Sequence, residues 1–316
     1  MRGPGRRLAR VTDGERQGLV VASHGRHCLV ESPDGSRILC HAKGKKNEAV
    51  VGDRVRWRPT GDEGVVAGVQ ERRNLFYRQD EIRTKSFAAN LDQVLVLIAA
   101  EPEFSEMQLA RALIAAEAQH IAPLVALNKS DLVEPFERAW RRLLPYQHMG
   151  YGVLPLSLRM SKDTDREHLL RHLQGKTTLV LGPSGAGKST LINLLVPQAQ
   201  ALTGEISQAL NSGKHTTTAT TWYWVDAERT TALIDSPGFQ EFGLNHIDAA
   251  QLPALMPDLK PHVAQCRFYN CTHRHEPGCG VMAAVAEQPG APAGRIEPSR
   301  YRIYSSLYEE LTQPRY

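Results

Sequence analysis

At 316 residues, 41% of them hydrophobic and 23% charged, the chain is long enough for two or three domains with cores of their own. No apolar run approaches the roughly 20 residues of a membrane-spanning helix, and the basic start Met1-Arg2-Gly3-Pro4-Gly5-Arg6-Arg7 has no apolar stretch behind it. That argues against a membrane protein and against a secretory signal, so a cytoplasmic protein is expected.

Charge is unevenly distributed. The net value is only +4, yet residues 1–85 carry 18 Lys and Arg against 11 Asp and Glu, and the remainder is mildly acidic. A basic front end points to a nucleic-acid contact there, the alternative being a solvated basic surface. Short strand-like runs at 18–22, 26–31, 37–41, 50–57 and 64–69, with Pro33-Asp34-Gly35 as a turn, predict about five strands and no helix. This pattern predicts an OB-type β-barrel over residues 1–84, a scaffold that commonly binds oligonucleotides. Lys43, Lys45 and Lys46 share one connecting segment. Arg54, Arg56 and Arg58 fall on one face of a strand, a stripe suited to a phosphate backbone.

Residues 85–245 alternate strand and helix, which predicts a parallel sheet with helices on both faces. A buried strand at 93–100 is followed by a helix over 107–116, with Ser105 as its cap. The next strand, 122–127, ends in Asn128-Lys129-Ser130-Asp131, at the carboxyl end of a strand, where open α/β folds bind ligands. A carboxylate there can accept both N–H donors of a guanine ring edge, and the four residues resemble the guanine motif of translation-factor-like GTPases. A helix through Arg138-Ala139-Trp140, a strand at 153–156 and a helix near Glu167 lead to a buried strand at 177–181.

After that strand comes Gly182-Pro183-Ser184-Gly185-Ala186-Gly187-Lys188-Ser189-Thr190, and residues 191–195 open a helix. Strand, loop and helix together make this a phosphate loop: backbone N–H groups and Lys188 face phosphate oxygens, and Ser189 offers a hydroxyl to Mg2+. Further on, a strand at 231–234 ends in Asp235-Ser236-Pro237-Gly238, resembling the motif whose Asp reaches Mg2+ through water and whose Gly meets the γ-phosphate. Between them, Gly213-Lys214-His215-Thr216-Thr217-Thr218 occupies the place of a switch loop with a Mg2+-binding threonine, the choice among Thr216, Thr217 and Thr218 being open. Asn128 precedes Gly182 by 54 residues, the reverse of the ordinary GTPase order, so the domain reads as circularly permuted. Phe239 stands where many GTPases keep a water-orienting Gln, which predicts slow intrinsic hydrolysis. Lys188 and Asp235 join the expected catalytic set, and His215 is the nearest residue able to orient water.

Residues 246–316 contain Cys266-x4-Cys271-x-His273-x5-Cys279, three thiols and an imidazole at spacings that suit structural Zn2+, with His275 as a competing fourth ligand. Tyr301, Tyr304 and Tyr308 recur at helical spacing, a packing stripe, with Arg300 and Arg302 beside it as possible phosphate contacts.

Barrel, permuted GTPase and zinc knuckle together resemble the ribosome small-subunit-dependent GTPase A family of bacterial assembly factors over nearly the whole chain. The resemblance implies late maturation of the small ribosomal subunit, rRNA binding, and GTP hydrolysis that is slow until the subunit stimulates it. It also implies help in releasing ribosome-binding factor A, a catalytic role for His215, and Zn2+ held by Cys266, Cys271, His273 and Cys279. A monomer in contact with the subunit and GTP or GDP, and with no membrane, follows from the same likeness. The base-flanking residues Ser157-Leu158 depart from the family's usual Ser-Ala. Rival readings are an RNA-binding module with a non-hydrolysing switch, and an ATPase using the same loop.

Overall fold

The computed structural model describes residues 14–42, 48–80, 83–209, 220–236, 239 and 242–313. Lys43, Lys45, Lys46, His215, Thr216, Thr217, Thr218, Pro237 and Gly238 lie outside the described residues.

Five strands open the chain: β1 (Arg16–His24), β2 (His27–Glu31), β3 (Arg37–Ala42), β4 (Arg54–Thr60) and β5 (Glu63–Val69). They run in the order β1-β2-β3-β5-β4, and β4 returns to pair with β1, closing a barrel. Alternation fills its interior, with Val20, Val30, Val55, Trp57 and the thiols Cys28 and Cys40 buried. Burial pushes both thiols up to about 12, as befits inert core cysteines. The arginine stripe on β4 is less available than its spacing implies. The Glu15 carboxylate accepts from Arg56 at 2.9 Å and Arg58 at 2.8 Å, so two of the three charges are already paired.

The two strands β6 (Leu75–Gln79) and β7 (Thr84–Ala89) form a separate antiparallel hairpin that straddles residues 84 and 85. Its register slips between Phe76 and Tyr77, and charged residues interrupt it, so no strand pattern stands out in the sequence. What holds it is remote: Phe76 and Phe87 meet Phe242 at 5.6 and 5.8 Å, and Phe239 lies 6.3 Å from Phe242. Phe239, just past the Asp235 motif, is thus buried beside Phe242 at the edge of this aromatic cluster.

The central unit comprises β8 (Gln93–Ala99), α1 (Glu106–Ala118), β9 (Ala122–Asn128), α2 (Val133–His148), β10 (Gly152–Pro155), α3 (Lys162–Leu173), β11 (Thr177–Leu181), α4 (Lys188–Leu195), α5 (Ala199–Ala209), β12 (Thr220–Trp224) and β13 (Ala232–Asp235). Strand order is β10-β9-β8-β11-β13-β12; the first five are mutually parallel and β12 is an antiparallel edge. Continuous apolar runs such as β8, buried at all seven positions, are what a two-sided sheet demands. Ser105 caps α1 by accepting from the Gln108 N–H at 3.3 Å. The edge strand β12 then pairs with β1, Ala22 against Thr221 and Ser23 against Thr220, so barrel and central sheet form one continuous surface.

A 3-10 stretch at Ala249–Leu255, two short helices α6 (Lys260–Val263) and α7 (Gly280–Ala284), and the long α8 (Pro298–Thr312) complete the chain. The tyrosine stripe of α8 packs, as its spacing implies: Tyr304 is buried and donates to the Thr272 carbonyl at 2.8 Å, and Tyr301 donates to that of His273 at 2.7 Å. Arg300 is not a phosphate contact. It is 2% exposed, donates to Asp258 at 2.9 Å and lies 4.9 Å from the Tyr146 ring centroid, joining α8 to α2. Arg302, by contrast, is exposed.

Candidate nucleotide site and metal cluster

The loop after β11 sits at the centre of the sheet, where β8 and β13 flank it on either side. Close approach explains its glycines. A Cβ on Gly182 would lie 2.4 Å from the Leu97 carbonyl oxygen, and Gly187 holds φ +104° as the N-cap of α4. Lys188 opens α4 and reaches the Asp235 carboxylate, 2.5 Å from Nζ to Oδ1. Asp235 is the buried last residue of β13, so β11 and β13 bring the two together from 47 residues apart. Ser189 is exposed beside them.

Asn128 ends β9 and is 5% exposed. Its Nδ2 donates to the Ala186 carbonyl at 2.8 Å, and its Oδ1 accepts from the Leu158 N–H at 3.2 Å. One amide thereby ties the phosphate loop to the loop after β10. Ser157 Oγ donates to Asp131 Oδ1 at 2.6 Å, which holds that exposed carboxylate in place. Ser157 N–H in turn donates to Asp165 Oδ2 at 2.7 Å, from the first turn of α3. Burial raises the Asp165 carboxyl above its ordinary range, although the Ser157 N–H works against it. Lys129 adopts φ +68° and donates to the Glu101 carbonyl. Four loops therefore converge on one cup at the carboxyl ends of the strands.

Two of these partners carry no recognisable sequence signal. Asp165 is one of several acids in its helix, and Glu101 acts through its backbone. Leu158, in place of the family's usual Ala, is 1% exposed and packs against Gly187, while its backbone N–H still serves Asn128.

The second constellation lies near the chain end. One ligand atom each from Cys266, Cys271, His273 and Cys279 fall within 4.8 Å of one another. Cys266 Sγ is 3.3 Å from His273 Nδ1, Cys279 Sγ is 3.5 Å from the same nitrogen, and the two sulfurs are 3.9 Å apart. Metal–sulfur bonds of about 2.3 Å at tetrahedral angles give edges of roughly 3.8 Å, so this donor set fits a four-coordinate soft or borderline cation. His273 takes φ +58° to turn inward, and the neighbouring Glu276 carboxylate accepts from Thr272 N–H at 2.7 Å. His275 is exposed and lies outside the group, which leaves His273 as the histidine of the cluster. Among the described residues no helix is long and apolar enough to cross a membrane.

Comparison with known proteins agrees with this architecture. The sequence model of the RsgA GTPase family matches residues 69–245. The small ribosomal subunit biogenesis GTPase RsgA of Variovorax paradoxus is 72% identical over 299 residues, covering 95% of this chain and 93% of that one. Its namesake in Burkholderia pseudomallei strain K96243 is 52% identical, over 95% and 94% of the two chains. Among solved structures, YjeQ from Thermotoga maritima superposes with a TM-score of 0.69 at 30% identity, covering 95% of this chain and 100% of that one. YloQ, a circularly permuted GTPase, gives 0.68 at 26% identity over 98% of this chain and 100% of its own. The chain, with its barrel, its permuted GTPase sheet and its Cys/His cluster, belongs to the RsgA GTPase family.

Proposed function

We propose that this protein is a GTPase of small ribosomal subunit biogenesis that binds the subunit and its rRNA and hydrolyses GTP slowly until the subunit stimulates it. The observation that carries the reading is Asn128, whose amide joins the phosphate loop to the Ser157–Leu158 loop while Ser157 aims the Asp131 carboxylate beside them. That arrangement suits guanine. Asp131 accepts from the ring-edge donors of the base, Asn128 fixes the cup, and Lys129 lines its wall.

Gly182, Pro183, Ser184, Gly185, Ala186, Gly187 and Thr190 wrap the phosphates, and Lys188 supplies charge to the β- and γ-phosphates. Mg2+ bound with the nucleotide neutralises the charge that develops on the phosphates. Ser189 and Asp235 are the residues that would hold it, Asp235 giving up its ion pair with Lys188 for that role. Gly238 donates to the γ-phosphate and His215 orients water, roles taken from the family resemblance. Phe239 is committed to an aromatic cluster and offers no polar group to water, which accords with a slow intrinsic rate. The Cys266, Cys271, His273 and Cys279 cluster holds structural Zn2+, with no open position. The relatives' name supplies the small subunit as partner, a cytoplasmic setting follows from it, and release of ribosome-binding factor A is the finer role we attach. Residues 1–84, 85–245 and 246–316 are the corresponding RNA-binding, GTPase and zinc-binding units of a monomer.

The test is single-turnover GTP hydrolysis with and without purified small subunits, in wild type and in His215→Ala. Stimulation in the wild type alone supports the reading; no stimulation in either would favour a non-hydrolysing RNA-binding module. Asp131→Asn should shift base preference from guanine toward xanthine, and unchanged GTP affinity would refute the guanine assignment.

A further inference from the structure

Strand β1 changes partner part-way along one edge. At Ala22 and Ser23 that edge pairs with β12. From Leu19 back to Arg16 it pairs with β4, Leu19 facing Arg54, and the β1–β2 register slips between Val20 and Ala22. Meanwhile β12 runs on to Trp224 alongside β13 alone. Barrel and GTPase sheet thus part like a fork, and a cavity of about 290 Å3 occupies the opening. Gln17, Leu19 and Arg54 line it from the barrel side, Trp224 and Arg229 from the other.

The chemistry of the fork is specific. The indole of Trp224 is fixed: its Nε1 donates to Glu31 Oε1 at 2.8 Å, and Trp222 meets it edge-on at 5.0 Å between centroids. Glu31 is 5% exposed and its charge is already compensated by Arg37 at 2.9 Å and Arg229 at 3.5 Å. Arg229 projects from a tight turn in which Asp226 accepts from the N–H groups of Thr230 and Thr231, and its guanidinium lies over Gly35 of the barrel. Arg54 is exposed, and among the described residues no carboxylate pairs with it. A locked aromatic ring, the exposed guanidinium of Arg54 and that of Arg229, which pairs with the already compensated Glu31, make a cleft for an anion with a planar base.

We infer that this fork binds one unpaired nucleotide of single-stranded RNA, the base against Trp224 and the phosphate between Arg54 and Arg229. Stacking on an aromatic ring with arginine at the backbone is the general mode of single-strand recognition. The cavity is at the small end of ligand sites, room for one nucleotide. The excess of positive charge in the sequence of residues 1–85 favours a polyanion over a peptide. This rests on the proposal that the chain binds RNA, and adds a place for it at the joint between barrel and GTPase.

The experiment uses the full chain and a mixed-sequence RNA hexamer, with 5-iodouridine at one position for photocrosslinking and a fluorophore for anisotropy. The expected crosslink is to Trp224. Arg54→Ala and the double variant with Arg229→Ala should weaken hexamer binding about tenfold or more, Trp224→Leu should do the same, and Trp224→Phe should retain most of it. GTP affinity and melting temperature report that the fold and the nucleotide site are intact. A wild type that binds no RNA would sink this inference and the RNA-binding proposal together. Full hexamer affinity in the Arg54→Ala and Trp224→Leu variants would overturn the cleft alone. Loss of subunit binding without loss of RNA binding would mean that a protein fills the fork, and would also overturn it.

Discussion

Asn128 Nδ2 donates to the Ala186 carbonyl across 58 residues of sequence, so one side-chain amide links the end of β9 directly to the loop after β11. The same amide accepts from Leu158 N–H, and Asn128 is nearly fully buried. Truncating it strands a carbonyl and an N–H away from water, at a cost of about 1–3 kcal/mol for each unpaired group. Asn128→Ala should therefore weaken GTP binding by roughly tenfold or more while lowering stability, as read by calorimetric titration and thermal melting. Asn128→Asp is the sharper variant. It keeps the acceptor for Leu158 but sets a carboxylate against the Ala186 carbonyl, so it should bind GTP no better than the alanine variant.

The metal cluster makes a separate prediction. Four ligand atoms within 4.8 Å of one another should hold one zinc per chain, measurable by atomic absorption on purified protein. Cys279→Ser should release that metal and lower the melting temperature by roughly 10 °C, because binding energy at a structural site is folding energy. His275→Ala should change neither, since His275 is exposed and outside the cluster.

The parts of this protein that are legible in its sequence are those whose chemistry is local. Gly182–Lys188 declares itself because a tight turn before a helix needs glycines in order, and Cys266–Cys279 because ligands from one loop must be close in sequence. Asn128 could be placed at a strand end, but its partners Ala186 and Leu158 come from loops 58 and 30 residues away and no spacing encodes them. The hairpin β6–β7 was illegible for the same reason, since its apolar residues find their partner in Phe242. Strand β12 is five residues long, and its role as the seam to β1 exists only in three dimensions. Charge was the least reliable guide. Spacing alone suits Arg300, Arg56 and Arg58 to phosphate, whereas the fold sets Asp258 and Glu15 beside them.

Asp226 gives the acid dependence a sign. Burial pushes its carboxyl up, but the N–H groups of Thr230 and Thr231 and their side chains more than offset this and hold it below its ordinary value. A depressed folded-state pKa means stability that is present above the ordinary aspartate range and is lost as pH falls through the lowered value. Asp226→Asn should melt below wild type at neutral pH, and the gap should close on acidification. A gap that stayed constant down to the acid limb would show that the turn does not depend on the ionised carboxylate.

Arg300 supplies the strongest stability prediction. Its guanidinium is buried between Asp258 and the ring of Tyr146, so removing it leaves the 9% exposed Asp258 side chain as an uncompensated charge. Breaking a buried pair in this way costs about 3–5 kcal/mol. Arg300→Ala should show that loss in urea unfolding and should loosen the docking of α8 on the metal cluster, because Tyr301 and Tyr304 on the same helix donate to the backbone of Thr272 and His273. Replacing both partners, Arg300→Met with Asp258→Leu, removes the stranded charge and should recover most of the stability. Recovery in the double variant would assign the deficit to electrostatics; its absence would mean that the pair specifies the geometry of the joint between α2 and α8.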